Sequence, residues 1–339
     1  MSALIIRRAG PALSVQDKGR VGYMVQGLSR GGAADRLALA EGAVLLGQSG
    51  DFAALEMPGF GGVFEVIQDT RIALTGAPMT ASVDGEPLLW NATHRVAAGQ
   101  QITIGAPLRG HYGYLHVGGG FATDPVMGSR AAHLTARVGN AVVAGMTLPI
   151  GDDENADQAD VKLPMNERFQ GGILRITPSA QTARFSKAER ARFEATEFTR
   201  SPRGNRQGVQ LDFEGAPFTA AQQLHILSEI IVPGDIQMTG DGVPFLLLPE
   251  CQTTGGYPRI ATIVPQDQPL AAQAPTGAHL RFQFIPLKEG LETLRSEAQI
   301  LADLKRTLQP LVRDPRDIRD LLSYQMISGV TAGHDDEGI

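Results

Sequence analysis

The chain has 339 residues, a formal net charge of −6 at pH 7 and one cysteine, and hydrophobic residues make up 42% of it. The length favours two domains with sizeable cores, and the acidic balance argues against a surface that coats nucleic acid. One cysteine allows no internal disulfide and suits a reducing compartment, and no stretch approaches the roughly 18 apolar residues of a membrane-spanning helix. The sequence predicts a cytoplasmic protein that contacts neither nucleic acid nor membrane.

Short strands and glycine turns dominate residues 1–150. A first strand is followed by a glycine-rich loop at residues 14–35 and by a helix at residues 35–47, where apolar residues recur at helical spacing. Beyond the helix, short alternating runs are separated by turns such as Asp84-Gly85. The pattern predicts an N-terminal β domain over residues 1–150.

The segment 151–170 is acidic, polar and poor in large apolar side chains, which predicts an exposed linker. Strand patterns return over residues 171–286 and predict a second β domain. Within it, Ser186 stands three residues before Glu189, the spacing of a helix start.

Residues 287–339 have a helical pattern instead. Apolar residues step by three and four from Leu287 to Leu308, which predicts one amphipathic helix packed on the body of the protein. A second short helix is predicted with Pro315 in its first turn, and the residues after Ser328 are predicted to be disordered.

Most catalytic motifs are missing from the sequence. It has no G-x-x-x-x-G-K loop, no G-x-G-x-x-G after a strand, no H-E-x-x-H and no cysteine pair, so no metal site is predicted. The run G-L-S-R-G gives Ser29 a G-x-S-x-G context, but no strong strand precedes it as a hydrolase elbow requires. Cys251 has no histidine nearby in sequence. We expect both side chains to be structural, with a nucleophilic role as the alternative.

Charged residues in glycine-rich loops are better candidates. Asp17 and Glu250 are candidates for a general base, and the guanidinium groups of Arg20 and Arg130 can hold a carboxylate or an oxyanion through paired hydrogen bonds. The alternative for each acid is an ordinary turn or solvated residue.

The segment P-E-C-Q-T-T-G-G-Y-P-R-I-A at residues 249–261 is unusually polar and flexible. Gly255 and Gly256 permit positive φ and let backbone N–H groups approach a ligand closely. Thr253 and Thr254 add hydroxyl donors, and each preorganised donor at a developing oxyanion contributes about 3–4 kcal/mol. The segment predicts a site for a planar amide or ureido group. The alternative is a tight barrel corner whose threonines satisfy its own backbone.

Four elements together resemble one known family. They are S-V-Q-D-K-G-R-V-G-Y with G-G-A-A-D near the start, A-L-T-G-A-P at 73–78, G-Y-L-H-V-G-G-G with M-G-S-R at 113–130, and G-D-I-Q-M-T-G-D-G-V-P-F-L-L-L-P-E-C-Q-T-T-G-G-Y-P at 234–258. Over residues 4–286 the chain resembles the allophanate hydrolase subunit 2 family. That family includes one half of the carboxyltransferase region of urea amidolyase and the C subunit of bacterial 5-oxoprolinase.

The resemblance implies a mainly β fold, with two cyclophilin-like β-barrel subdomains, few helices and the C-terminal amphipathic helix. It implies a subunit of an ATP-dependent 5-oxoprolinase, which opens a lactam to glutamate with a subunit 1 (B-type) partner and a LamB/YcsF-type protein. ATP would be used by the complex. The alternative is the carboxyltransferase half of a biotin-dependent urea or amide carboxylase, with carboxybiotin on a partner chain.

The chain departs from the family pattern in several loops. Ala131 and Ala132 stand where the family has a Ser-Thr pair, and Glu250 and Cys251 stand where it has Asp-Arg. These departures leave open a non-catalytic paralogue that regulates its partner. The catalytic candidates are Asp17, Arg20, Glu250 and Thr253, and the substrate-binding candidates are Gln16, Arg130, Gln252, Thr254, Gly255, Gly256 and Tyr257.

Overall fold

The computed structural model describes residues 2–221 and 227–312, and it confirms the mainly β class. The N-terminal strands form two sheets. The six-stranded sheet has the order β11-β1-β4-β9-β6-β7, and the five-stranded sheet has the order β2-β3-β10-β5-β8. Their bounds are β1 Ala3–Ala9, β2 Ser14–Gln16, β3 Ala54–Pro58, β4 Gly62–Val66, β5 Thr70–Gly76, β6 Met79–Val83, β7 Glu86–Pro87, β8 Thr93–Val96, β9 Gln101–Pro107, β10 Tyr112–Val117 and β11 Thr147–Pro149.

The two sheets bury one core between them, because alternate residues of their strands are apolar. In β4, Phe64 and Val66 are fully buried while Val63 and Glu65 are half-buried. Asp84 and Gly85 both have positive φ, 48° and 92°, in the two-residue turn that joins β6 to β7. This is the hairpin turn that Asp-Gly predicts.

Helix α1 (Arg36–Leu46) lies against β5 and β10. Asp35 caps its first turn by accepting a hydrogen bond from Ala38 N at 3.2 Å, and Gly47 ends it with φ of 66°. The helix predicted at residues 35–47 is therefore confirmed. Its Gly42 lies directly against the ring of buried His116, whose burial lowers its pKa to about 3.

The C-terminal strands close into a seven-stranded barrel. Its order is β13-β20-β17-β18-β15-β14-β21, and the barrel closes through parallel pairing of β13 with β21. The bounds are β13 Gly172–Thr177, β14 Phe198–Gly204, β15 Gly208–Asp212, β17 Asp235–Met238, β18 Pro244–Leu247, β20 Arg259–Ile263 and β21 His279–Phe284, with the short pair β16 Glu229–Ile230 and β19 Thr254–Gly255 beside them.

Two helices accompany the barrel, α2 (Lys187–Ala195) and α3 (Gln268–Gln273). Ser186 accepts a hydrogen bond from Glu189 N at 3.1 Å, so the predicted start of α2 is confirmed. Phe193 of α2 stacks on Phe282 with ring centroids 5.1 Å apart, and both rings belong to the buried core of the barrel.

Residues 151–170 connect the sheets to the barrel. Residues 154–157 are exposed, as predicted for a linker, but the ends of the segment are anchored. Arg71 holds Asp153 through two hydrogen bonds of 2.7 and 2.8 Å, and Arg168 is buried. The strand β12 (Val161–Lys162) pairs with β22 (Gln309–Pro310).

The prediction of a single helix from Leu287 to Leu308 is wrong. The structure has α4 (Leu287–Glu292) and α5 (Glu297–Arg306). The break arises because Ser296 forms a capping box with Gln299, which starts a new helix. The predicted second helix at Pro315 and the predicted disordered tail lie outside the described residues.

Helix α5 lies against α1, and its Leu304 packs beside Leu45 and Leu46, so this half of the leucine pattern covers the protein body. Leu287 and Leu291 of α4 are instead 59% and 57% exposed. No helix in the described ranges is long and apolar enough to cross a membrane.

We expect Gly42→Ala to destabilise the protein. An added Cβ would lie 2.2 Å from His116 Nδ1, and such overpacking costs about 1–3 kcal/mol. This cost opposes the gain of about 1 kcal/mol that alanine brings to a helix. Urea unfolding measures the difference, with Gly240→Ala as control, since no described residue lies within 4 Å of an added Cβ there. A higher midpoint for Gly42→Ala than for wild type would contradict the packing.

Candidate functional site

Arg206 joins the barrel to the N-terminal sheets. Its guanidinium pairs with Glu56 of β3, donates to Glu250 Oε1 at 2.5 Å and donates to Gly32 O at 2.5 Å. All three charged side chains are at least 94% buried. Burial alone would raise the pKa of Glu250, but the charge of Arg206 and the hydrogen bonds from Thr135 N and Arg206 together outweigh it, and the pKa lies below its usual value. We call this group the Arg206 cluster.

The second oxygen of Glu250 binds a loop of the N-terminal sheets. Glu250 Oε2 accepts hydrogen bonds of 2.9 Å from Thr135 N and from Thr135 Oγ1, and it lies 3.6 Å from His133 Nδ1. The carboxylate therefore has a partner on each oxygen. Glu250, predicted as a catalytic candidate, is a buried connector between the two β domains.

Ser29, His133 and Glu250 are arranged in space like the serine, histidine and acid of a catalytic triad. Ser29 Oγ is 2.8 Å from His133 Nε2. Burial lowers the pKa of His133, so its ring is neutral near pH 7. Ala136 N donates to His133 Nδ1 at 3.1 Å, which leaves the ring proton on Nε2. Ser29 is then an acceptor rather than an activated nucleophile, consistent with the structural role predicted for it.

Asp17 holds the loop at residues 17–19 against the loop at residues 129–130. Its two oxygens accept hydrogen bonds from Gly19 N at 2.8 Å, Ser129 Oγ at 2.6 Å and Arg130 N at 2.6 Å. The side chain of Arg130 is exposed. The carboxylate of Asp17 is thus engaged by three donors in this conformation.

Arg20 and Gln16 bind the same loop. Arg20 donates to the carbonyl oxygens of Val126, at 3.0 Å, and of Ala131, while Gln16 donates to Ala132 O at 2.9 Å. Two buried polar atoms, Arg20 Nη1 and Gln16 Oε1, have no hydrogen-bond partner among the described residues. Asp17, Arg20 and Glu250 therefore contact one stretch of the chain, residues 126–135.

The threonines of the 249–261 segment lie farther along the barrel. Thr253 is buried and its carbonyl accepts from Ile231 N at 3.1 Å, while Thr254 and Gly255 form β19 against β16. Gly256 follows directly in the chain. These contacts satisfy the local backbone, which favours the barrel-corner alternative for the threonines.

A polar cup of about 450 Å³ opens on the barrel beside this segment. Gln252 and Tyr257 line it, together with Arg203, Gln210 and Gln237. Gln237 is 93% buried, and its Nε2 has no hydrogen-bond partner among the described residues. Nε2 lies against Gly255, where an added Cβ would come within 2.5 Å of it. A side chain at position 255 would therefore require the Gln237 amide to move.

The cup and the Arg206 cluster lie on two sides of the same two chain segments, residues 203–207 and 250–252. Arg203 and Gln207 line the cup and flank Arg206, and Gln252 lines the cup two residues after Glu250. No carboxylate or histidine belongs to the lining of the cup among the described residues. The sequence predicted one site, whereas the structure separates a polar binding surface from a packed cluster of charges.

Sequence reasoning missed Gln237, Arg203 and the contact of Ser29 with His133. His133 is 104 residues from Ser29 in the chain, and the burial of Gln237 arises from the fold, so spacing gave no signal for either. The quoted G-D-I-Q motif contains Gln237 and was the one available indication.

Cys251 is buried, and burial raises the pKa of its thiol to about 12. The thiol is therefore protonated at neutral pH, as a structural cysteine requires. No cluster of three or more potential metal ligands occurs within residues 2–221 and 227–312.

Two touching loops present an exposed apolar patch. Arg20 Nε donates to Val126 O and joins them. Val25 is 96% exposed and Val21 is 73% exposed. The patch consists of Val21, Met24, Val25, Val126 and Met127. Exposed apolar groups of this kind mark interaction surfaces.

We expect Arg206→Met to destabilise the protein by about 3–5 kcal/mol at pH 7, because it leaves two buried carboxylates without a cation. In wild type the pKa of Glu250 is lower in the folded state than in the unfolded state. This difference stabilises the fold at pH values above the unfolded pKa, and the stabilisation is lost as pH falls through the folded pKa. In the variant the sign reverses, since the unpaired carboxylates take up protons and stability rises as pH falls from 8 towards 5.

Chemical denaturation at four pH values measures both profiles. Arg7→Met is the control, because solvent screens the exposed Arg7–Glu65 pair and such pairs add little stability. An Arg206→Met profile parallel to that of wild type would contradict the assigned role of Arg206.

Comparison with known proteins confirms the family resemblance. Residues 26–284 match the carboxyltransferase domain, subdomains A and B. The chain is 30% identical over 301 residues to the 5-oxoprolinase C subunit of Haemophilus influenzae, covering 86% of this chain and 94% of that protein. It is 32% identical over 305 residues to the 5-oxoprolinase C subunit of Escherichia coli, covering 89% of this chain and 97% of that protein.

The crystal structure of the K. lactis urea amidolyase has a TM-score of 0.79 over 92% of this chain, at 19% identity. This chain spans 21% of that structure, and the similarity shows the shared fold. The matched domain, the two relatives and the mainly β architecture agree, and the chain belongs to the carboxyltransferase-domain family that includes the C subunits of 5-oxoprolinase.

Proposed function

We propose that the chain is a subunit of an ATP-dependent 5-oxoprolinase and that the polar cup binds the lactam. The observation that carries this proposal is the buried amide nitrogen of Gln237, a residue that lines the cup of 450 Å³. This hydrogen-bond donor lacks a partner among the described residues. An unpaired buried donor is costly, and a ligand carbonyl would satisfy it.

The cup has the groups that a five-membered lactam acid needs. The lactam carbonyl oxygen accepts from Gln237 Nε2, and the exposed guanidinium of Arg203 holds the carboxylate. Gln252 and Tyr257 offer further polar contacts to the ring amide. Donors at the carbonyl oxygen become stronger as negative charge develops on it during attack.

The cup binds and polarises the substrate, but no base lines it among the described residues. In the hydrolysis, water adds to the carbonyl carbon, the ring C–N bond breaks and the nitrogen takes up a proton, which yields glutamate. The group that deprotonates water must come from outside the cup. We therefore propose that a partner protein completes the site.

The apolar patch of residues 21–25 and 126–127 is the surface proposed for that partner, a B-type subunit. A LamB/YcsF-type protein is proposed as the third component. Binding at the patch would contact the loops that Asp17 and Arg20 hold together. The predicted catalytic roles of Asp17, Arg20, Glu250 and Thr253 remain predictions. Their present hydrogen bonds are those of residues that hold loops in place.

A second candidate function is a carboxyltransferase half acting on an amide, favoured by the match to the carboxyltransferase domain. A ureido carbonyl would accept the same hydrogen bond from Gln237. Carboxybiotin would then reside on a partner chain, and a regulatory role without turnover is the remaining alternative.

We expect Gln237→Glu to lower kcat/KM for ATP-dependent release of glutamate from 5-oxoproline by at least about tenfold, because a carboxylate replaces a donor at the carbonyl oxygen. The assay uses the complex co-purified with its partner proteins. Gln181→Glu is the matched control, since Gln181 is another buried glutamine, which accepts a hydrogen bond from Arg259 N of β20 and does not line the cup. Full activity of Gln237→Glu in an active complex would exclude the cup as the lactam site.

The two enzymatic functions also differ in their requirements. The 5-oxoprolinase function predicts glutamate release that avidin does not inhibit and that needs no bicarbonate. Turnover that stops with avidin and depends on bicarbonate would instead identify the carboxyltransferase.

A further inference from the structure

We propose that Arg200 of β14 and Tyr112 of β10 bind a short carboxylate at the junction of the barrel and the N-terminal sheets. Tyr112 belongs to the sheets but packs into the buried core of the barrel. Gln273 of α3 holds its backbone, because it accepts from Tyr112 N at 2.9 Å and donates to Tyr112 O at 2.8 Å. Neither Arg200 nor Tyr112 lines the polar cup, so this site is separate from the one proposed for the lactam.

Arg200 is a buried cation without a counter-ion. It is 95% buried, and it lies opposite the core residue Leu211 on the face of β14 that carries the core residue Phe198. Its Nε has no hydrogen-bond partner among the described residues. Within residues 2–221 and 227–312, no carboxylate pairs with its guanidinium. Burial lowers the pKa of Arg200, and the phenol of Tyr112 is the group that opposes this shift.

Two other buried arginines show what Arg200 lacks. Arg206 and Arg168 each pair with two buried carboxylates. Despite burial, the charges of these carboxylates raise the pKa of both guanidinium groups, whereas the pKa of Arg200 is lowered. A buried charge without a partner is costly, and an anionic ligand would compensate it.

The donors that remain free determine the class of ligand. The Nε–H and one Nη–H of a guanidinium are parallel donors that match the two oxygens of a carboxylate. The hydroxyl of Tyr112 forms no hydrogen bond within the described part of the chain. Burial and the charge of Glu56 raise the pKa of Tyr112 to about 12, so this hydroxyl keeps its proton and is a third donor. Because both side chains are buried, only a short carboxylate fits.

His111 marks the side from which an anion would enter. Its ring is half-buried and lies edge-on to the ring of Tyr112, with centroids 4.6 Å apart. A Cβ added at Gly59 would meet, among described atoms beyond its chain neighbours, only the His111 ring at 3.7 Å, so space remains beside the imidazole. Burial and the charge of Arg200 lower the pKa of His111 to about 4. The ring is therefore neutral at pH 7, and one cation calls for one carboxylate.

A carboxylate held by Arg200 and Tyr112 would connect the two β domains, because one donor belongs to the barrel and the other to the sheets. A ligand that binds only the folded state stabilises it, so binding should raise the unfolding temperature. The inference does not depend on the proposed function, since the site shares no residue with the cup and needs no partner protein.

The experiment is an NMR titration of the purified full-length chain with sodium acetate, with sodium chloride added to keep the ionic strength constant. We expect the Nε–H signal of Arg200 and the backbone signal of Tyr112 to shift saturably with acetate and not with uncharged acetamide. Followed at Tyr112, Arg200→Gln should weaken acetate binding at least about tenfold, as for loss of charged hydrogen bonds. Arg203→Gln is the matched control, an arginine of the same strand that lines the cup, and it should bind acetate at Tyr112 as wild type does.

Absence of saturable shifts with acetate, or unchanged affinity in Arg200→Gln, would overturn the proposal. Loss of the response in Arg203→Gln alone would assign the acetate to the cup. Tighter binding of inorganic phosphate than of acetate would overturn the assignment of a planar carboxylate.

Thermal unfolding of Arg200→Met gives a second readout. In chloride buffer we expect this variant to unfold at the wild-type temperature or above it, because it removes an uncompensated buried charge. Acetate should then raise the unfolding temperature of wild type and not that of Arg200→Met. An unfolding temperature of Arg200→Met below that of wild type in chloride buffer, with an equal response of both proteins to acetate, would show that Arg200 has a structural role instead.

Discussion

The pairing of Arg206 with Glu56 and Glu250 is the interaction on which the arrangement of the two β domains depends. A buried guanidinium is stable only with its counter-ions present, so the loop at residues 203–208 has to lie against β3. A second buried group acts in the same way, since Arg168 bridges Asp35 and Glu41, and Gln273 of α3 donates to Asp35 at 2.8 Å. Sheets and barrel are therefore held in one relative position.

This constraint gives the segment after Pro249 two functions. Glu250 faces inward and secures the domain junction, while Gln252 and Tyr257 face the polar cup. A rigid junction keeps the cup preformed, and preformed donors stabilise a developing charge without reorganisation. A cup that has donors but no base among its described residues is suited to binding and polarising an amide, with the attacking group supplied by another chain.

Local signals in the sequence predicted local structure well. Asp35 and Gly47 mark the two ends of α1, Asp84-Gly85 forms the turn between β6 and β7, and Ser186 caps α2. Each of these features depends on residues that are close in the chain. The leucine pattern after Leu287 wrongly predicted one helix. Periodicity does not reveal the cap at Ser296, which divides this stretch into two helices. The mainly β class also followed from the sequence pattern and the resemblance.

The rest depended on contacts between distant residues. Glu250 is 44 residues from Arg206 in the chain, and Arg206 is 150 residues from Glu56. In the sequence, a carboxylate that forms a buried ion pair therefore cannot be distinguished from one that is free for catalysis. Gln237 shows the opposite case, because an ordinary glutamine in a strand becomes a candidate only when its buried, unpaired donor is found beside a cavity.

The most direct measurement of the central claim is an NMR titration of the chain with 5-oxoproline, following side-chain amide and backbone resonances. If the cup is the lactam site, the side-chain NH₂ signals of Gln237 and the backbone signals of Tyr257 shift together and saturably. Saturable shifts confined to residues 16–20 and 126–135, with Gln237 unchanged, would contradict the account.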